Sequence, residues 1–231
     1  MSEYYINREK KLKRRMRFFL KRLKHPIIKN NDDEFYSKVY QETEEEFNSV
    51  INLLPDIGRK KNNFTIIITI NGFILAFYRV MKRNGKEIKD VIRILCEGTE
   101  RMFQRIPRPI AWVIGRIALS PLFFRSMKKN AEISQKREYP ANFIYTMEKG
   151  KKGTYYMKSI YTQCAVCKFL KAENAEEILP YCDFADVLMS KYFGLGIKYE
   201  SRIGAGDETC TGTFMKGQET EIPPHLKEFI N

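Results

Sequence analysis

The character of the sequence changes near residue 139, and this change limits the folds that are open to the chain. Upstream, apolar residues recur with the 3.6-residue period of helices, whereas residues 142–147 and 154–161 are aromatic and β-branched runs. Residues 148–153 between these runs are rich in glycine and lysine, which predicts an antiparallel hairpin. Residues 197–202 and 209–215 form a second such pair around the glycine-containing turn at 204–207. With helices predicted over 163–171 and 175–192 between the hairpins, we expect an α+β fold.

The region before this change predicts helices throughout. A long acidic helix follows the capping residues at 30–33 and ends at Pro55. Residues 64–78 carry no charge but fall short of the roughly 20 apolar residues that span a bilayer, so we predict a buried helix over 64–83. The Asn71-Gly72 pair within it is also a hairpin signal. Further helices are expected over 86–106 and, as a kinked helix or helix pair, over 110–129.

A basic amphipathic helix is predicted over residues 8–24, with a stop at His25-Pro26. Two alternatives exist for its apolar stripe: contact with an anionic membrane or acidic partner, or docking on the protein's own core, which we favour. We therefore divide the chain into the N-terminal helix (1–29), a helical region (30–135) and a cysteine-containing α+β domain (136–231), with 30–231 expected as one compact unit. The stripe consists of Leu12, Met16, Phe19, Leu20 and Leu23.

The charge distribution argues against nucleic acid as a partner. The net charge is +13, and residues 1–29 contribute eleven basic and two acidic residues to it. A nucleic-acid-binding domain carries its basic stripe on the main domain, where this chain has little excess charge. The N-terminus is too charged for the apolar core of a signal peptide, and the five cysteines are an odd number, so we expect a cytoplasmic protein with reduced thiols.

Four cysteines cluster in the C-terminal region, at Cys164, Cys167, Cys182 and Cys210. Zinc ligation is one alternative, but the second Cys-x2-Cys pair of a structural zinc site is missing, and buried core thiols are another. As a site, a thiol beside a carboxylate divides acid and base roles when burial shifts their pKa values. Asp186 lies one predicted helical turn after Cys182, beside apolar neighbours that indicate partial burial. With only two histidines and no phosphate-binding loop, we expect neither a metal nor a cofactor.

Several of these positions resemble the L-2-amino-thiazoline-4-carboxylic acid hydrolase family. The resemblance covers the last 90 or so residues, and runs from Arg-Glu-Tyr-Pro at 137–140 through Cys164 and Tyr181-Cys182 to residues 202–210. It implies hydrolysis of a small cyclic amidine, in which water opens the ring. Carried over residue by residue, it implies catalytic roles for Cys164, Cys182, Asp186 and Cys210, with Asp183 as the alternative acid. Contacts to substrate are then predicted for Tyr181, Asp183, Glu173 and Gly206.

A second hypothesis is a non-catalytic module that binds a small molecule, because the same layout is similar to ligand-binding domains of the 4-vinyl reductase type. The closing strand favours it, since Cys210-Thr211-Gly212 stands where the hydrolase family has Cys-Asp-Phe. The sequence leaves open whether the apolar helices of 64–124 pack within one chain or across a homodimer.

Overall fold

The α+β fold is confirmed by a computed structural model, which describes residues 3–58, 62–150 and 156–230. The helices precede the sheet in the chain. They are α1 (Glu3–Ile6), α2 (Glu9–Lys29), α3 (Asp33–Val50), α4 (Thr65–Arg83), α5 (Ile88–Gln104), α6 (Arg108–Ala118), α7 (Pro121–Ser134), α8 (Ala165–Ala172) and α9 (Phe184–Phe193). Short 3-10 helices cover Glu176–Tyr181, Ile203–Ala205 and Pro224–Leu226.

Four strands form one antiparallel sheet in the order β1-β2-β4-β3. They are β1 (Ile144–Lys149), β2 (Met157–Gln163), β3 (Ile197–Ser201) and β4 (Cys210–Phe214). Both predicted pairs, β1 with β2 and β3 with β4, are therefore confirmed. Residues 151–153 of the predicted turn between β1 and β2, and residues 154–155 of the predicted second strand, lie outside the described residues.

The register of the sheet decides which side chains share its inner face. Tyr145, Tyr161 and Cys210 lie side by side on β1, β2 and β4. Gly212 is paired with Tyr199 of β3 in the next row. The rings of Tyr145 and Tyr161 stack with centroids 4.8 Å apart. The opposite face is polar, since Lys158 there pairs with Glu200 at 3.0 Å.

Helix α4 is the centre of the helical region. It is long and apolar enough to cross a membrane, but 61% of its most apolar 18-residue stretch is buried inside the protein. Its Gly72 allows Leu54 to approach the helix closely, because a Cβ at this position would lie 2.7 Å from Leu54 Cδ2. The prediction of a buried helix over 64–83 is confirmed, and the hairpin alternative at Asn71-Gly72 is wrong.

Helix α2 docks its apolar stripe on the core, so the favoured alternative for this helix is confirmed. Leu12, Met16, Leu20 and Leu23 are all buried. The predicted stop at His25-Pro26 is wrong, because α2 continues through Pro26 to Lys29. A proline inside a helix removes one backbone donor, and here burial of Pro26 and Ile27 in the core holds the helix together beyond it.

The predicted helix over 175–192 is also corrected. A 3-10 helix that contains Pro180 occupies its first part, and α9 begins only at Phe184. Cys182 caps the 3-10 helix and Asp183 precedes α9, so Cys182 and Asp186 do not lie on a common α-helix. Pro180 has no N–H to donate to the carbonyl four residues earlier, so a continuous α-helix over 175–192 would lose a hydrogen bond at this point.

The kinked pair predicted over 110–129 is present as α6 and α7, whose axes differ by 52°. Ser120 and Pro121 make the break, since the Ser120 hydroxyl accepts a hydrogen bond from the Phe123 N–H and starts α7. Helix α7 is fixed to the sheet by Tyr145, whose hydroxyl donates to the Met127 carbonyl at 3.2 Å.

Candidate active site

The candidate site lies between the inner face of the sheet and helices α8 and α9. Cys164 follows β2 and caps α8, Asp186 lies in the first turn of α9, and Cys210 begins β4. Tyr199 of β3 and Tyr161 of β2 complete the group. All five are half-buried, so each keeps a part of its surface in contact with solvent.

Asp186 is the acid at the centre of this group. The Tyr199 hydroxyl donates a hydrogen bond to Asp186 Oδ2 at 2.9 Å. Burial raises the pKa of Asp186 from 3.8 to about 6, while the Tyr199 hydrogen bond partly offsets this rise and the charge of Asp183 adds to it. A carboxyl with such a pKa exchanges its proton near neutral pH, as a general acid or base must.

The thiols nearest to Asp186 are not activated. Burial raises the pKa of Cys210 to about 12, and electrostatic coupling to Cys164 and Asp186 adds to the rise. A hydrogen bond with Cys167 and burial raise the pKa of Cys164 well above its ordinary value. A nucleophilic cysteine requires a lowered pKa, so these groups are neutral thiols at physiological pH.

Cys182 lies on a different side of the thiol cluster from Asp186. Its sulfur shares a hydrogen bond with Cys167 and packs on Gly204, where a Cβ atom would lie 2.7 Å from Cys182 Sγ. Cys167 in turn contacts Cys164, so the thiols form a connected row from Cys182 towards Cys164. The sequence spacing suggested a direct Cys182–Asp186 pair, whereas the thiol whose charge Asp186 influences is that of Cys210.

Asp183 is 3% exposed and forms a second polar cluster. Its Oδ1 lies 3.2 Å from a terminal guanidinium nitrogen of Arg202 and 2.9 Å from His225 Nε2. The same guanidinium nitrogen donates to the Pro180 carbonyl at 2.8 Å. This cluster therefore joins the 3-10 helix, the start of α9, the β3–β4 turn and the C-terminal segment.

The remaining predicted substrate contacts have other partners. Glu173, at the end of α8, pairs with Arg79 of α4 at 2.9 Å. The Tyr181 ring packs edge-on against Phe229 with centroids 5.7 Å apart. Gly206 is exposed in the β3–β4 turn, where its φ of 104° favours glycine. Within residues 3–58, 62–150 and 156–230, no hydrogen bond, ion pair or ring contact joins any of the three to Asp186 or Tyr199.

Sequence reasoning missed Tyr161 and Tyr199 as members of the site, and Arg202 and His225 as partners of Asp183. The alternation of Ile197, Tyr199 and Ser201 in β3 was a usable signal, because alternate residues share a face. His225 offered no comparable signal, since it lies in a segment without hydrophobic periodicity.

The candidate site shows no metal-binding geometry in the described part of the chain, where no group of three or more His, Cys, Asp and Glu residues is arranged to hold an ion. The chain matches no protein-family model, no curated protein and no solved structure. The chemistry of this site must therefore be argued from its own residues.

Proposed function

We propose that the protein is a hydrolase that opens a small cyclic amidine, with Asp186 as the group that transfers the proton. The observation that carries this proposal is the Asp186–Tyr199 pair, a carboxyl with a pKa of about 6 held at 2.9 Å by a tyrosine hydroxyl. The pair lies between the sheet and α9, and both of its residues are partly exposed to solvent. The resemblance of residues 137–210 to the thiazoline hydrolases supplies the substrate class.

The proposed reaction consumes one water molecule and needs no other reactant. The ionised Asp186 removes a proton from water, and the oxygen of that water bonds to the ring carbon between nitrogen and sulfur. The carbon–nitrogen double bond becomes a single bond as the ring nitrogen takes up a proton from solvent. The carbon–sulfur bond then breaks, a carbonyl forms as the added hydroxyl returns a proton to solvent, and the protonated Asp186 gives its proton to the leaving sulfur.

In this proposal Tyr199 is a positioning residue. Its hydroxyl fixes one carboxylate oxygen of Asp186 and leaves the other free to face water or substrate. The neutral thiols of Cys164 and Cys210 lie beside this pair, while Cys182 packs on Gly204. A thiolate nucleophile is not required.

The test is a mass-spectrometric assay of the purified protein with 2-amino-thiazoline-4-carboxylate, which follows the product that has gained one water. Turnover should rise with pH through about pH 6, as Asp186 ionises. Asp186→Asn should lower kcat by about 100-fold or more. Tyr199→Phe should move the pH profile upward, because the lost hydrogen bond favoured the ionised carboxyl.

Two matched variants control for general effects of these substitutions. Glu173→Gln makes the same acid-to-amide change at a residue paired with Arg79, and Tyr156→Phe removes a hydroxyl outside the site. Both should retain wild-type kcat. Full activity of Asp186→Asn on a confirmed substrate contradicts the assigned role of Asp186.

The second candidate is a module that binds a small molecule without turnover. The observation that favours it is the protonated state of the Cys164 and Cys210 thiols, which leaves Asp186 as the one member of this group that titrates near neutral pH. Calorimetric binding of the thiazoline without product, lost in Asp186→Asn, supports this candidate and contradicts the hydrolase.

A further inference from the structure

Helices α6 and α7 present a wide apolar face to solvent. Leu122 is 77% exposed, Trp112 60% and Ile117 59%. Soluble proteins seldom leave a contiguous apolar patch of this kind uncovered, and such patches mark interaction sites. The other exposed members are Ile110, Val113, Ile114, Phe123 and Ile133. We call this set the α6–α7 face.

The face does not result from loose packing, because α6 is attached through its small residues. Ala111 and Gly115 are buried, and a Cβ atom at Gly115 would overlap with the carbonyl group of Phe193 at the end of α9. The helix backbone thus lies directly on α9, and its large side chains point away from the protein. A helix that buries its small residues and exposes its large apolar residues is suited to contact an apolar environment on its outer side.

Positive charge surrounds the α6–α7 face. Residues 105–129 contain six basic residues and no acidic residue. All six are exposed, and none forms an ion pair with another residue that the structure describes. The guanidinium of Arg116 lies 4.6 Å from the centre of the Trp112 ring, so charge and apolar surface are interleaved. The six are Arg105, Arg108, Arg116, Arg125, Lys128 and Lys129.

A basic groove of about 460 Å³ between α2 and α5 continues this charge. It reaches the face through Arg105, which belongs to the groove and lies three residues before Arg108. Two of its lysines, Lys24 and Lys29, pair with Asp33 and Glu97, so most of its cations keep their charge uncompensated. The cationic lining consists of Lys21, Arg22, Lys24, Lys29, Arg101 and Arg105, with His25 beside them.

We propose that the α6–α7 face docks on the surface of an anionic lipid bilayer. Its apolar side chains enter the boundary between headgroups and acyl chains, and the surrounding arginines and lysines contact lipid phosphates. Tryptophan favours this boundary because its ring is apolar and its N–H is polar. The basic face of α2, considered in the sequence as a membrane contact by itself, contributes charge through the groove while its apolar stripe stays in the core.

The positive charge around the α6–α7 face favours an anionic bilayer over a second copy of the chain as the partner. A symmetric dimer through this face would place the same six cations of each copy against each other, with no acidic residue in 105–129 to compensate. An anionic lipid surface complements them. Neither helix is long enough to span a bilayer by itself, because α6 and α7 have 11 and 14 residues, or about 17 and 21 Å. The two together are long and apolar enough, but the 52° bend between them favours a position at the bilayer surface.

The first experiment is co-sedimentation of the full chain with vesicles, of phosphatidylcholine alone or of equal parts phosphatidylcholine and phosphatidylglycerol. We expect binding to the anionic vesicles that weakens at high salt, and little binding to the neutral ones. Trp112 is the only tryptophan in the chain, so its fluorescence reports on the face directly. It should shift to shorter wavelength on binding and be quenched by brominated acyl chains.

Variants identify the surface that binds. The double variant Ile117→Glu/Leu122→Glu should weaken vesicle binding by about ten-fold or more, and its exposed positions should leave the circular dichroism spectrum unchanged. The matched control is Ile66→Glu/Ile70→Glu, since these two exposed apolar residues of α4 (43% and 39%) do not line the basic groove, and this variant should bind as the wild type does.

Two results overturn the proposal. One is vesicle binding that the double variant leaves unchanged or that leaves Trp112 unquenched. The other is lipid-independent self-association that the double variant abolishes, which assigns the face to a second copy.

Discussion

Replacing Asp186 by asparagine should stabilise the protein at neutral pH. The pKa of Asp186 rises from 3.8 to about 6 on folding, mainly because burial disfavours the ionised carboxyl. Once fully ionised, this group costs the folded state about 3 kcal/mol, at about 1.36 kcal/mol for each tenfold change in proton affinity. Asparagine has nearly the same shape, and its side-chain oxygen still accepts the Tyr199 hydrogen bond.

The direction in which stability changes with pH follows from the raised pKa of Asp186. The favourable contribution of protonated Asp186 is fully present below pH 3.8 and is lost as the pH rises through about 6. The stability of Asp186→Asn relative to the wild type should therefore grow by about 2 kcal/mol between about pH 4.5 and pH 7.5. Urea denaturation of both proteins, followed by circular dichroism at several pH values, measures this difference.

Glu173→Gln is the control for this stability measurement, because it makes the same acid-to-amide change at a carboxylate that has a cationic partner. Its carboxylate pairs with Arg79, so its removal should not stabilise the protein at any pH. If the difference between Asp186→Asn and the wild type stays constant with pH, then Asp186 has the same proton affinity in both states. The reasoning that makes it an acid–base group near neutral pH is then refuted.

Three further predictions concern the fold and the thiols. Leu20→Ala should lower the free energy of unfolding by about 2–5 kcal/mol in urea titrations, because Leu20 is buried. Phe18→Ala, on the exposed side of α2, should change it by less than about 0.5 kcal/mol. Equal effects of the two substitutions contradict the docking of α2. Gly115→Val should lower the melting temperature by several degrees, about 2–4 °C for each kcal/mol, because its side chain overlaps Phe193, and an unchanged value contradicts the close contact of α6 with α9. At about pH 8 iodoacetamide should label Cys210 about 100-fold more slowly than it labels glutathione, with a rate that rises at higher pH, and fast labelling of Cys210 contradicts its raised pKa.

The sequence predicts the order of elements well, because periodicity and turn residues are local signals. The hairpins and the buried helix over 64–83 follow from such signals. The two failures at Pro26 and Pro180 both concern a proline, but their causes are opposite. At Pro26 tertiary burial outweighs the local cost of proline in a helix, whereas at Pro180 the local preference breaks a helix that periodicity alone predicts as continuous.

The site is only partly predictable from the sequence. Spacing identifies Cys164, Asp186 and Cys210 as candidates, but spacing does not fix the register of a sheet or the start of a helix. The register places Tyr161 beside Cys210, and the late start of α9 separates Cys182 from Asp186. Both facts depend on contacts between segments far apart in the chain, which local patterns do not encode.

The contacts of α2 and of the C-terminal segment determine when the protein can complete its fold during synthesis. The stripe of α2 packs against α5, and Lys89 of α5 pairs with Glu228, 139 residues later in the chain. Arg93 of the same helix lies over the Phe229 ring. In a growing chain α3 can cover part of α2, but the side of α2 that packs on α5 stays exposed until α5 emerges. Helix α5 in turn lacks its last partners until residues 228 and 229 are made. We expect slow, late-completing folding on the ribosome, with a need for chaperone protection of the first helices.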